Sequence, residues 1–201
     1  MRRLVPEIPF PPYTFVPGRT PHPQHPGGHS YGRVPHIPEP LAPARWWECK
    51  EYLYAIDLFN GPAPALPASS SSSLPPGLRE CFAGFYWEAH EVWEGLWNAA
   101  GRTNLPADFF KGLIKLAAAG VKVCQGQPRG VASHAAGAAN HFRDIVRQRG
   151  DEDSYLGLPL NALLALAGQI ERWAATNCAD EVDGVRVRFD FTLHPAIPPI
   201  R

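Results

Sequence analysis

Proline and glycine divide this chain more sharply than any other signal in it. Five segments open on proline and close on glycine or asparagine. They are "PARWWECKEYLYAIDLFNG" from Pro43, "PPGLRECFAGFYWEAHEVWEGLWNAAG" from Pro75-Pro76, "PADFFKGLIKLAAAGVKVCQG" from Pro106, "PRGVASHAAGAANHFRDIVRQRG" from Pro128 and "PLNALLALAGQIERWAATN" from Pro159. Proline suits a first helical turn because the N–H it lacks would have no intrahelical partner there. Glycine suits the stop because it enters the left-handed region without strain. Five paired signals predict five helices.

Side-chain periodicity agrees. Trp46, Cys49, Leu53 and Ile56 recur at three and four residues, as do Phe82, Phe85, Ala89, Trp93 and Leu96. Each set forms the apolar stripe of a core-facing helix. The third and fourth segments carry small faces, "LAAAG" and "HAAGAANHF", which let two helices approach closely.

The flanks behave differently. Residues 1–44 hold much of the chain's 23 prolines, so they read as an extended Pro/Gly/His-rich arm. Tyr13, Phe15 and Tyr31 favour an arm packed on the bundle over one left in solvent. "GPAPALPASSSSSLPP", residues 61–76, reads as a surface loop. Near the end, Val185, Val187, Phe189 and Phe191 alternate with polar residues, which is strand periodicity. The expected fold is therefore all-α. An arm (1–44) precedes a bundle of about five helices (45–178), and a short C-terminal strand and tail (179–201) follows. A lone strand needs a partner, either the arm or a second copy, so a homodimer is an expectation.

Charge narrows the partners. Lysine plus arginine equals aspartate plus glutamate at 19 each, so no net field draws the chain to nucleic acid or to an anionic membrane. No apolar run is long enough to span a bilayer, and prolines interrupt any signal-like start. Cys49, Cys81, Cys124 and Cys178 form no C-x-x-C pair and read as small hydrophobes in a reducing compartment. A soluble cytoplasmic protein is the expectation.

The chemistry concentrates in "FYWEAHEVWEGLW", residues 85–97. His90 and Glu94 are one helical turn apart, with Glu91 beside them and Trp87 and Trp97 bracketing them. Neutral imidazole and carboxylate both ligate divalent ions such as zinc or manganese. In one reading His90 and Glu94 hold an ion, Glu91 is the general base, and the seven-spaced His134 and His141 supply further ligands. That reading is a metal-dependent hydrolase. In the simpler reading the cluster organises the core or a small-ligand pocket, Glu94 accepts from His90, and Glu88 and Glu91 face water or a lysine. No Ser-His-Asp signature or phosphate loop supports a common enzyme class, so enzymatic activity stays open.

Lys111, Lys115 and Lys122 share a face of the third helix and read as a solvated stripe that could also meet the acidic side of the second. The arm contributes His22, His25, His29 and His36, whose irregular spacing presets no metal geometry. If "GRTPHP" and "GHSYG" fold back over the His90 helix, Arg19, His22, His29 and Tyr31 join one pocket wall.

The stretch "YAIDLFNG…FAGFYWEAHEVWEGLW…FFKGLIKLAAAGVKVCQGQPRGV", roughly residues 50 to 145, resembles domain of unknown function family 309. "EAHEVWE" beside "GLIKLA" carries the resemblance. It departs from the family in the serine-proline insertion and in "GQPRGV", where Gln127 and Val131 stand at the usual Asn and Ala positions. The resemblance implies an all-helical fold and makes Glu88, His90, Glu91 and Glu94 the motif residues. It implies no established activity.

Overall fold

The computed structural model describes residues 3–18, 20–30, 32, 41–61, 84–150, 152–176 and 192–197. Among them, a 3-10 stretch Pro43–Glu48 precedes α1 (Lys50–Phe59), α2 (Tyr86–Ala99), α3 (Leu105–Cys124) and α4 (Pro128–Arg149). A two-stranded hairpin, β1 (Ser154–Tyr155) and β2 (Leu158–Pro159), then leads into α5 (Leu160–Thr176). Each helix packs on the next in the chain, from α1 on α2 to α4 on α5. The architecture is an all-α bundle with one minimal antiparallel ladder.

The punctuation marks most helix ends closely. Gly101, Gly126 and Gly150 follow α2, α3 and α4 with φ of 86°, 66° and 66°. At the start of α3, Pro106 occupies the first turn and the Asn104 side chain caps Ala107 N–H at 3.0 Å.

Two starts differ from expectation. Pro43 opens only the 3-10 stretch; Arg45 leaves helical geometry and Cys49 is extended, so α1 begins at Lys50. This break lets the buried Trp46 turn edge-on to Tyr52, 5.8 Å away, and lie over the hairpin. There the indole occupies the space a side chain at residue 157 would need, so Gly157 is required twice, once for contact and once for its φ of 76°. With Leu156 at φ 45° it forms the left-handed pair of a two-residue hairpin turn. Helix α2 begins at Tyr86, where Phe85 N–H is tied to the Leu58 carbonyl at 2.8 Å. Pro75-Pro76 and the serine-rich loop lie outside the described residues, as does the alternating segment 185–191.

The core runs through all five described helices: Tyr52, Ile56, Leu58, Trp93, Leu96, Phe109, Phe110, Leu113, Leu116, Phe142, Ile145, Leu163 and Leu166 are all fully buried. Helices α3 and α4 do pack on each other, although Gly120 of "LAAAG" faces the Tyr86 ring of α2 and Gly137 of "HAAGAANHF" faces the Lys115 stem. Gly112 admits the ring of Phe142 so closely that a Cβ there would lie 2.4 Å from it.

The arm lies on α1 and α2. Val5, Tyr13, Phe15 and Val16 are buried, and Phe10 stacks on Phe85 at 5.0 Å. A proline-rich chain cannot form its own ladder, so its N–H groups need outside acceptors. Buried Asp57 of α1 accepts Leu4 N–H at 2.9 Å and Val5 N–H at 2.8 Å. Asn60, at the end of α1, binds the other terminus. Its amide donates to the Leu193 carbonyl at 2.8 Å and accepts Leu193 N–H at 2.7 Å. No described helix is long and apolar enough to cross a membrane.

Candidate functional site

Helix α2 distributes its polar residues over three directions, because successive residues turn by about 100°. Glu88 points into the arm. Thr14 Oγ1 donates to Glu88 Oε2 at 2.6 Å, Phe15 N–H donates to Oε1 at 2.8 Å, and His29 Nε2 meets Oε1 at 3.2 Å. Glu88 is buried and its oxygens are satisfied. It does not face water or a lysine, because the arm covers that side of the helix.

His90 and Glu94 point the other way, into a groove of about 280 Å³ bordered by Trp97, Lys111, Ile114, Lys115, Ala118 and His134. His90 stacks on Trp87 at 5.9 Å and is about a quarter exposed. Its Nδ1 is buried; Glu91 Oε1 approaches to 3.4 Å, but without hydrogen-bonding geometry, so the nitrogen has no hydrogen-bond partner. The indole Nε1 of Trp97, on the same groove, is likewise buried and unpaired. One ligand atom each from His90, Glu91 and Glu94 lie within 4.8 Å of one another.

Across the groove, Lys111 and Arg102 both lie over the Trp97 ring, at 5.3 and 5.0 Å. Lys115 lays its stem on Gly137 of α4, and Lys122 does the same on Gly130 while donating to Gln125 and Gln127 at 2.9 Å each. The three lysines are half-buried, so the solvated-stripe expectation gives way to packing, of Lys115 and Lys122 against α4 and of Lys111 against Trp97 of α2. Small residues on α4 leave room for those stems.

His134 borders the groove with His90. Burial pushes its pKa below the usual histidine range, and Lys115, Lys122 and His90 add to the depression. A neutral imidazole is the ligating form. His141 sits elsewhere: its Nδ1 is 3.8 Å from Asp108 and it does not border the groove. Burial lowers its pKa too, opposed by Asp108. The four nominated metal ligands therefore divide, with His90, Glu94 and His134 around one groove and His141 outside it.

Glu91 borders a second, larger space of about 610 Å³ between the arm and α2. His22, His29, Trp87 and Glu88 border it as well. His22 packs edge-on to Phe15 and stacks on His25, with centroids 4.8 and 4.1 Å away. Arg19, Tyr31 and His36 lie outside the described residues.

Asp57, Asn60 and Thr14 were not singled out from the sequence, yet Asp57 and Asn60 bind the flanking segments and Thr14 ties the arm to Glu88. Asp57 left one legible trace, an acid inside the apolar run "YAIDLF". A charge so placed needs buried donors.

Fold and site together define an all-helical protein with a half-buried His/Glu turn opening on a basic-rimmed groove. Its central residues 76–134 match the model of the family described as Domain of unknown function (DUF309). The match takes in the "EAHEVWE" turn and the "GLIKLA" helix. No curated protein and no solved structure matches the chain significantly.

Proposed function

We propose that this protein is a ligand-binding helical module whose site is the groove of α2, α3 and α4. A divalent cation held by the His90 turn would be the first element of that ligand. One observation carries this reading: three donor atoms of His90, Glu91 and Glu94 converge within 4.8 Å while His90 Nδ1 has no hydrogen-bond partner. A buried polar atom left unpaired beside two carboxylates points to a group that would pair it. Ligation at about 2.0–2.2 Å would require the donors to close slightly. The carboxylates of the partly solvent-facing Glu91 and Glu94 have the freedom to do so. His134 offers a fourth donor from α4.

Glu88 takes the organising role that the simpler reading gave to the whole cluster. This supports assigning His90 and Glu94 to binding instead of core structure.

A second reading, metal-dependent hydrolysis, draws on Lys111 and Lys115. They border the same groove with no carboxylate within ion-pair distance among the described residues. Two such ammonium groups suit an anionic substrate oxygen, and Glu91 would serve as the base. Elemental analysis of untagged protein, wild type against His90→Ala, tests the primary reading. The expected result is one equivalent of a divalent metal, lost on substitution. A metal content near zero in wild type, or unchanged in His90→Ala, would refute it.

A further inference from the structure

We infer that the groove of α2, α3 and α4, once its cation is in place, binds the dianionic phosphate of a small phosphate monoester. This inference rests on the metal reading above and names the ligand that would complete it.

The groups available in the groove are of two kinds. Acceptors stand on the His90 turn, where ligand atoms of His90, Glu91 and Glu94 lie within 4.8 Å of one another. Donors stand around them. Lys111 and Lys115 border the groove, and neither makes a hydrogen bond or ion pair among the described residues. Lys111 lies over the Trp97 ring at 5.3 Å, a contact that orients the ammonium without supplying an oxygen for its three N–H groups. The charge of Lys115 reaches His134, which borders the groove too. The indole N–H of Trp97 is a third donor, buried and without a partner. Lys122 gives the contrast: its ammonium donates to Gln125 and Gln127 and does not border the groove.

Charge decides the class. A divalent ion on the turn would be balanced by the carboxylates of Glu91 and Glu94, and ligating imidazoles are neutral. Glu88, the other acid of α2, faces the arm with its oxygens satisfied. The two ammonium groups then stand uncompensated, in a half-buried place where Coulomb attraction is stronger than in bulk water. Above its second pKa of about 6, a phosphate monoester carries close to two negative charges and presents three strong acceptor oxygens. It matches both the excess charge and the three donor groups. A sulfate ester offers the oxygens with half the charge, and a neutral ligand offers no charge at all. The groove, at about 280 Å³, is just under the usual ligand-cleft range of about 300–1,000 Å³. The body of the ester is therefore small, with Ile114 and Ala118 as its apolar contacts.

Calorimetric titration of the full chain, loaded with one equivalent of Mn²⁺ at about pH 7.5, tests this. Phenyl phosphate is the probe, and phenyl sulfate and inorganic phosphate are its counterparts. The expected result is saturable binding of phenyl phosphate, at least about tenfold tighter than phenyl sulfate and tighter than inorganic phosphate. Lys111→Gln and Lys115→Gln should each weaken it about tenfold, with Mn²⁺ stoichiometry and a cooperative melt retained. Lys122→Gln should leave it within about twofold. Phenyl sulfate or inorganic phosphate binding as tightly as phenyl phosphate would overturn the inference. So would undiminished affinity in both groove-lysine variants, or an equal loss in Lys122→Gln. In each of those cases Mn²⁺ binding, measured in the same preparation, leaves the metal reading standing; failure of wild type to bind Mn²⁺ overturns both.

Discussion

Glu88 and Glu94 are six residues apart on one helix, and their surroundings teach opposite lessons. Glu88 is buried, and three donors from the arm converge on it. Glu94 opens on a groove beside two lysines and two histidines, and makes no hydrogen bond or ion pair among the described residues. A carboxylate whose lone pairs are filled by the protein is part of the architecture. One that faces unpaired donors and an unpaired imidazole is available to something else. The motif EAHEVWE thus fastens the arm through Glu88 and, in the proposed function, presents the binding turn through His90 and Glu94.

The largest effect should come from breaking the fastened side. Glu88→Ala removes the acceptor for Thr14 and Phe15 and leaves buried donors unpaired, at a cost of about 3 kcal/mol. Urea denaturation measures it. Glu88→Gln should recover part of that loss, because one amide oxygen still accepts. A cost under about 0.5 kcal/mol for Glu88→Ala would mean that the arm is not held there.

Next in size is a dependence on pH. The pKa values of His134 and His141 are lowered in the fold, chiefly by burial. The unfolded chain, with histidines near about 6.5, then takes up protons before the folded one does. Stability should therefore be fullest above that pH and fall as pH drops through it toward the folded values. His134→Gln should make this fall shallower, as read from melting temperatures across the range. An unchanged slope would show that His134 is not buried as described.

The smallest expected change is on the open side. Glu94→Ala should alter metal-free stability by no more than about 0.5 kcal/mol, since no protein bond is lost. A large loss would make Glu94 architectural, like Glu88, and erase the contrast.

Much of the fold was legible and part of the site was not, for physical reasons. Proline and glycine act through local backbone geometry, so Gly101, Gly126 and Gly150 mark the ends of α2, α3 and α4 without reference to anything distant. Pro43 misled because its helix was interrupted by a long-range demand, the seating of Trp46 over Gly157. Helical spacing placed His90 and Glu94 on one side, which local geometry can do. It could not say what covers the far side, so Glu88 read as solvent-facing until the arm was seen upon it. The Lys111, Lys115 and Lys122 stripe is regular in sequence, yet the burial of Lys115 and Lys122 depends on the glycines of α4 and that of Lys111 on Trp97, which the spacing on α3 does not encode. Asp57 and Asn60 likewise act on chain termini more than 50 residues away.

Calorimetric titration with Mn²⁺ tests the division of labour on α2 most directly, run on wild type, Glu88→Gln and His90→Ala in one buffer. One equivalent should bind to wild type and to Glu88→Gln, and none to His90→Ala. Equal binding in His90→Ala, or none in wild type, would contradict the account.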